Sequence, residues 1–179
     1  MSFAAKTKYD SVAMGLHWLI AMLIIFMLIF GEDLMRVKEG SSALAPSFHV
    51  SFGISILVLS ILRLVWRMRN PPPAYPASMA SWEQMASKAL VVIFYALMIG
   101  IPLTGWLAMP KFLSEEAAMT GIRVFGAFPL PTAPSLGLPM KSVHAIGSNL
   151  TIALLALHVL AALKHHFINR DEILRRMLP

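Results

Sequence analysis

The chain has 179 residues, of which 58% are hydrophobic and only 13% charged, with a mean hydropathy of +0.71. A soluble domain is about 45–50% apolar and about a quarter charged, so an aqueous globular domain and a disordered chain are both excluded. The absence of cysteine excludes disulfides, thiolate metal sites, thioether-linked cofactors and cysteine nucleophiles. The net charge of +6 raises a nucleic-acid partner or a membrane topology.

A bilayer core of about 30 Å is crossed by about 20 mostly apolar residues in helical form. The first such stretch, Ala13 to Phe30, ends at Gly31-Glu32-Asp33 and predicts a helix over 12–33. A secretory signal peptide would look similar, but no small-residue cleavage site follows it. The second stretch, Phe48 to Leu62, continues through Arg67 and predicts a helix over 47–69. Asn70-Pro71-Pro72-Pro73 ends it, because proline lacks an N–H and restricts the residue before it. Ala89 to Met109 carries no charge and predicts a helix over 82–109. A connector of about 30 residues with Pro110, Pro129, Pro131, Pro134 and Pro139 follows, a length that often carries function. Val143 to Leu163 closes the chain with a helix over 141–168. The expectation is an all-α integral membrane four-helix bundle, one transmembrane domain over 1–179.

Charge orients it. Lys6, Lys8, Arg63, Arg67, Arg69, Lys88, Lys164, Arg170, Arg175 and Arg176 fall on one side; Arg36, Lys38, Lys111, Arg123 and Lys141 fall on the other. The positive-inside bias therefore predicts both termini in the cytoplasm. Topology accounts for the basic excess, and nucleic acid drops out as a partner.

Polar rings inside a membrane mark function by default. Four of the six histidines, His17, His49, His144 and His158, fall within spans. A lone one would read as a ring sharing a hydrogen bond with a neighbouring helix. His144 and His158 are 14 residues apart, close to four turns and roughly 21 Å along one helix face. Antiparallel helices then give two layers, His49 with His144 and His17 with His158. Two imidazoles from facing helices at one depth suit a low-spin b-type haem. Zinc fits worse, because no Cys or carboxylate completes four ligands. Hydrolysis of the Ser/His/Asp type is unsupported, because no intramembrane carboxylate orients a histidine.

His165 shares the face of His158 and competes as inner ligand, but roughly 32 Å of helix from His144 puts it in the headgroup layer. With His166 it reads as a solvated cap or a contact to a haem propionate. Gly53 and Gly147, near His49 and His144, would let a flat macrocycle approach, or would serve ordinary close helix packing. Arg63, 14 residues after His49, and Arg67 are the candidates for pairing with a propionate. The alternative is a snorkelling arginine at a helix end.

Tyr9-Asp10-Ser11 with Leu16-His17-Trp18-Leu19, His49-Val50-Ser51-Phe52-Gly53, and Leu62-Arg63-Leu64-Val65-Trp66-Arg67 resemble the bacterial cytochrome b561 family. So do Ile101-Pro102-Leu103-Thr104-Gly105-Trp106 and Leu163-Lys164-His165-His166-Phe167 with Asp171 and Arg176. The resemblance covers nearly the whole chain. It implies an inner-membrane location, two b haems ligated at His17, His49, His144 and His158, and electron exchange with ubiquinone or ubiquinol. One member type is a superoxide oxidase; other members exchange electrons with periplasmic partners. The sequence departs from the family at Val91, where many relatives carry a histidine one turn before the tyrosine matching Tyr95.

Two axial histidines leave iron no open position, which favours outer-sphere electron transfer. The expectation is thus a lipid-embedded oxidoreductase linking a periplasmic donor or acceptor, with superoxide one option, to ubiquinone. Lys111, Arg123 and Lys141 would steer an anion, against Glu115 and Glu116. Trp18, Tyr95 and Trp106 are quinone-site candidates no better than core packing, and no catalytic residue is assigned. The rival readings are a non-redox membrane scaffold and a transporter using the histidines as a proton relay.

Overall fold

A computed structural model describes residues 7–36, 44–109, 121–131, 133–134 and 136–178. Among them four long helices are apolar enough to cross a membrane: α1 (Ser11–Met35), α2 (Leu44–Arg69), α3 (Ser81–Ala108) and α4 (Met140–Leu163). The starts are set locally. Asp10 caps α1 by accepting the Ala13 N–H at 2.9 Å, satisfying one of its orphan donors. Pro46 sits in the first turn of α2, where a missing N–H costs nothing. Glu83 reaches back to the Ala80 N–H that precedes α3. α2 begins at Leu44, before the expected start at 47, because that proline fits inside the helix rather than ahead of it.

α1 packs on α2, α2 on α3, and α3 on α4. A small apolar core of Ile20, Ile56, Tyr95 and Met98, flanked by Leu23, Val91 and Phe94, fills the middle. Elsewhere large apolar side chains point outward: Ile29, Val92 and Ile146 are each more than 60% exposed. Such a surface is stable in lipid, where outward apolar groups carry no penalty.

One end of the bundle gathers both chain termini and the α2–α3 turn. The Tyr9 N–H donates to the Arg176 carbonyl, Trp18 Nε1 donates to the Met177 carbonyl at 2.8 Å, and the Arg176 guanidinium donates to the Ala74 carbonyl. Trp66 Nε1 donates to Asp10 at 2.9 Å, tying the end of α2 to the start of α1. The opposite end carries a feature absent from the all-α expectation, a short antiparallel hairpin of β1 (Arg123–Val124) and β2 (Phe128–Pro129). Its backbone N–H groups at Arg123 and Phe125 donate to the hydroxyls of Ser47 and Ser51 on α2. Trp106 on α3 donates to the Pro131 carbonyl at 2.9 Å. Residues 123–131 of the connector are thereby pinned over that end of the bundle.

After α4 the backbone widens into one π-helical turn, Lys164–Asn169, closed by Arg170 in the left-handed region at φ 54°. The Asp171 N–H returns to the His165 carbonyl at 3.1 Å, satisfying an orphan acceptor of the terminus.

Candidate functional site

The four intramembrane histidines meet in two pairs. His49 of α2 and His144 of α4 have ring centroids 6.1 Å apart. His17 of α1 and His158 of α4 have centroids 6.2 Å apart. Two metal–nitrogen bonds of about 2 Å each, plus roughly 1.1 Å from each nitrogen to its ring centre, sum to about 6 Å. Both pairs therefore stand at the spacing of two imidazoles sharing one metal ion between them. Among the described residues no three His, Asp or Glu side chains converge as a metal-ligand set. Each pair is thus a two-ligand arrangement, which suits an iron whose other four positions are filled by a macrocycle.

In the first pair the ring orientation is fixed by the backbone. His49 Nδ1 lies 2.9 Å from the Gly31 carbonyl of α1, and His144 Nδ1 lies 2.9 Å from the Ile101 carbonyl of α3. A carbonyl only accepts, so each Nδ1 carries the proton and each Nε2 keeps its lone pair for a metal. Such outer partners fix the tautomer and strengthen the ligand. Ile101 precedes Pro102, and its carbonyl also accepts from Thr104 Oγ1 at 2.9 Å. The second pair is flanked by aromatic edges, Trp18 at 5.2 Å from His17 and Phe94 at 5.6 Å from His158.

A cavity of about 710 Å³, lined by Gly53, Trp106, Pro131 and Lys141, surrounds the His49–His144 pair. It falls in the range of about 300–1,000 Å³ typical of ligand and cofactor sites. A Cβ built on Gly53 would meet nothing within 4 Å, so the glycine borders open space beside His49, a cradle fit for a flat group. Gly105 has a different reason: a Cβ there would lie 2.9 Å from His144 Cε1 and 3.0 Å from its Nδ1. Only glycine lets the ring pass. Sequence reasoning quoted this residue in a motif without giving it a role; the Pro102–Gly105 spacing inside an apolar helix was the available signal. The macrocycle reading of Gly147 is corrected, because a Cβ there would meet Ile101 Cγ1 at 3.0 Å. Gly147 serves the contact between α4 and α3.

Arg63 is half-buried, with its guanidinium 5.9 Å from the centre of the Tyr95 ring and within electrostatic reach of His17 and His158. Arg67 lies one turn nearer the helix end, also half-buried. Tyr95 belongs to the core cluster, and Val91 packs at its edge. The expectation of a solvated His165 is corrected. Its ring is only 6% exposed and its Nδ1 lies 2.6 Å from Asp171 Oδ2, because the π-turn rotates it inward and the carboxylate folds back under it. His17 faces His158, and His165 is held by the C-terminal segment. Lys141 lines the cavity together with Glu32, whereas Arg123 donates to the Ala127 carbonyl on the exposed hairpin. Lys111, Glu115 and Glu116 lie outside the described residues.

Comparison with known proteins bears on the same residues. The family described as prokaryotic cytochrome b561 matches residues 8–179. The chain is 30% identical over 185 residues to cytochrome b561 homolog 2 of Escherichia coli (strain K12), covering 99% of this chain and 95% of that protein. It is 26% identical over 174 residues to cytochrome b561 homolog 1 of the same strain, covering 96% and 97%. It is 30% identical over 177 residues to a protein named probable superoxide oxidase CybB in Yersinia pestis, covering 96% of each. Four membrane-length helices and a match over all but the first seven residues agree, and the chain belongs to the prokaryotic cytochrome b561 family of membrane cytochromes, which implies b-type haem.

Proposed function

We propose that the protein is a di-haem b cytochrome that passes electrons between a periplasmic donor or acceptor and the ubiquinone pool. The observation that carries this reading is the ring spacing, 6.1 Å and 6.2 Å, at two sites on opposite halves of one bundle. A b haem held by two imidazoles supplies one-electron transfer without an open iron position. His49 and His144 present Nε2 because the Gly31 and Ile101 carbonyls hold their Nδ1 protons. Gly53 leaves room for a planar group beside that pair. His17 and His158 are the ligands at the other layer, with Arg63 and then Arg67 as the cations for its propionates. Family membership over 8–179 supports reading the chain as one such domain.

The end that gathers both termini carries Lys8, Arg67, Arg69, Lys88, Lys164, Arg170, Arg175 and Arg176 among the described residues. The positive-inside bias puts that end in the cytoplasm of the bacterial inner membrane, with the hairpin end in the periplasm. Superoxide is the anionic donor of this reading, supported by a relative that carries the name probable superoxide oxidase. Each superoxide would leave as dioxygen after giving up one electron; two electrons and two protons convert ubiquinone to ubiquinol.

Stopped-flow mixing of the purified, haem-loaded protein with superoxide or with ubiquinol tests the reading. Rapid reduction of the b bands by either supports electron transfer, and the faster reagent identifies the donor. A protein whose spectrum lacks reducible b bands overturns the proposal and returns the scaffold and transporter readings.

A further inference from the structure

The two serine bonds of the β1–β2 hairpin fix its depth. The Arg123 N–H meets the Ser47 hydroxyl at 3.1 Å and the Phe125 N–H meets that of Ser51 at 2.8 Å. Two strand residues advance about 6.6 Å, and the four helical residues from Ser47 to Ser51 advance about 6 Å. β1 therefore runs lengthwise along the first turns of α2, with its tip toward the middle of the span. Measured back from Arg67, a hydrocarbon core of about 30 Å ends near Ser47 and leaves Ser51 roughly 6 Å inside it.

The face of α2 under the hairpin is the lipid-facing one. Ser51 lies two residues, about 200°, around the helix from His49, on the side away from the histidine cavity. Seven and eleven residues further along its own face stand Val58 and Leu62, both about half exposed. The tip suits that setting. From Val124 to Pro131 no side chain is polar or charged, and the rings of Phe125 and Phe128 are 63% and 69% exposed. The Ala127 N–H returns to the Val124 carbonyl at 3.1 Å, with Phe125 at φ 51° and Gly126 at φ 71° between them. Two positive φ values in a hairpin turn normally select Asn-Gly, and a bulky residue there is an outlier. Asparagine would fill the position with less strain; what phenylalanine adds is an outward ring. Backbone groups at the tip find partners without water, as lipid surroundings demand. The Gly126 N–H donates to the Arg123 carbonyl, the Arg123 guanidinium donates to the Ala127 carbonyl, and Pro129 has no N–H.

We propose that the hairpin is an interfacial lipid anchor, with Phe125 and Phe128 seated at the headgroup–acyl boundary of the leaflet at this end of the bundle. Elements that lie in a membrane surface bury apolar groups about 5–10 Å into that boundary, the depth at which the Ser51 bond holds the tip. The occupant is lipid because the same face of α2 continues into the bilayer below the tip as Val58 and Leu62. Nothing in this assignment depends on which residues ligate haem.

The chain has no cysteine, so a single Ala127→Cys carries an environment-sensitive fluorophore at the tip without competing labels. The full-length protein is placed in phosphatidylcholine nanodiscs, with labelled Glu172→Cys at the opposite end as the aqueous reference and labelled Val92→Cys in α3 as the deep reference. The expected tip label is quenched by lipid bearing a nitroxide near the headgroup more than by lipid bearing it near the chain end. Aqueous iodide should quench it several-fold less than the Glu172→Cys label. Adding Phe125→Asn and Phe128→Ser, which keeps a turn-compatible residue and removes both rings, should raise iodide access several-fold at unchanged helix content by circular dichroism. A tip label as open to iodide as the aqueous reference and untouched by nitroxide lipid overturns the proposal. So does a label shielded from both quenchers, which marks a protein cover such as a second copy of this chain. An iodide access that stays the same after removal of both rings overturns it as well.

Discussion

Gly105→Ala puts a methyl group where the His144 ring passes. The added carbon would sit 2.9 Å from Cε1 and 3.0 Å from Nδ1, whereas ordinary carbon contacts lie at about 3.5–4.0 Å. The imidazole must retreat by roughly half an ångström or more, and the backbone that carries the methyl cannot yield as a flexible side-chain tip would. Overpacking of this kind costs about 1–3 kcal/mol. Retreat also stretches the 2.9 Å bond from Nδ1 to the Ile101 carbonyl, worth about 1 kcal/mol. Together these amount to about 3 kcal/mol, close to two decades in the equilibrium for keeping His144 on the iron proposed for the outer layer, at about 1.4 kcal/mol per decade. The assay is haem content per chain by pyridine haemochrome together with low-temperature EPR of the oxidised protein. The expected result is loss or high-spin conversion of one haem, with the signal of the His17–His158 site retained. A Gly105→Ala protein with two haems and both native low-spin signals would show that Gly105 does not set the path of the His144 ring.

Four further outcomes are expected. His17→Ala and His158→Ala should give the same spectrum, since each strips the same iron, and their double variant should add little; His17→Ala with His49→Ala should remove both haems. His165→Ala should keep both low-spin signals, because its ring is held by Asp171; loss of the inner haem on this change, with His158→Ala sparing it, refutes the pairing. Gly53→Ala should leave the thermal stability of haem-free protein within about 1 kcal/mol of wild type, since its Cβ meets open space, yet weaken retention of the outer haem; equal retention in a haem-transfer assay refutes the cradle. Trp66→Phe should cost about 1 kcal/mol by losing the bond to Asp10, read as a lower melting temperature with unaltered haem spectra.

Much of this architecture was legible before any coordinates. Apolar run length sets which segments cross a bilayer, because every buried backbone group must find its partner within its own helix. Helical periodicity then placed His144 and His158 on one face, and antiparallel order gave the depths of the histidine layers. These properties follow from spacing along one chain and need no knowledge of neighbours. The choice between His158 and His165 was of another kind. Seven-residue spacing puts both on one helix face, yet His17 packs against His158 while His165, in the π-turn, is bound to Asp171. The carbonyl partners of His49 and His144 come from residues 18 and 43 positions away. The serines that hold the hairpin lie 76 and 74 positions from it. Gly53, Gly105 and Gly147 look alike in the sequence, yet one borders open space, one clears a ring and one packs against Ile101. Which of these a glycine does depends on the rotation and offset of the facing helix. Those are set by the packing of side chains from several segments at once, and no local repeat along a single segment encodes them.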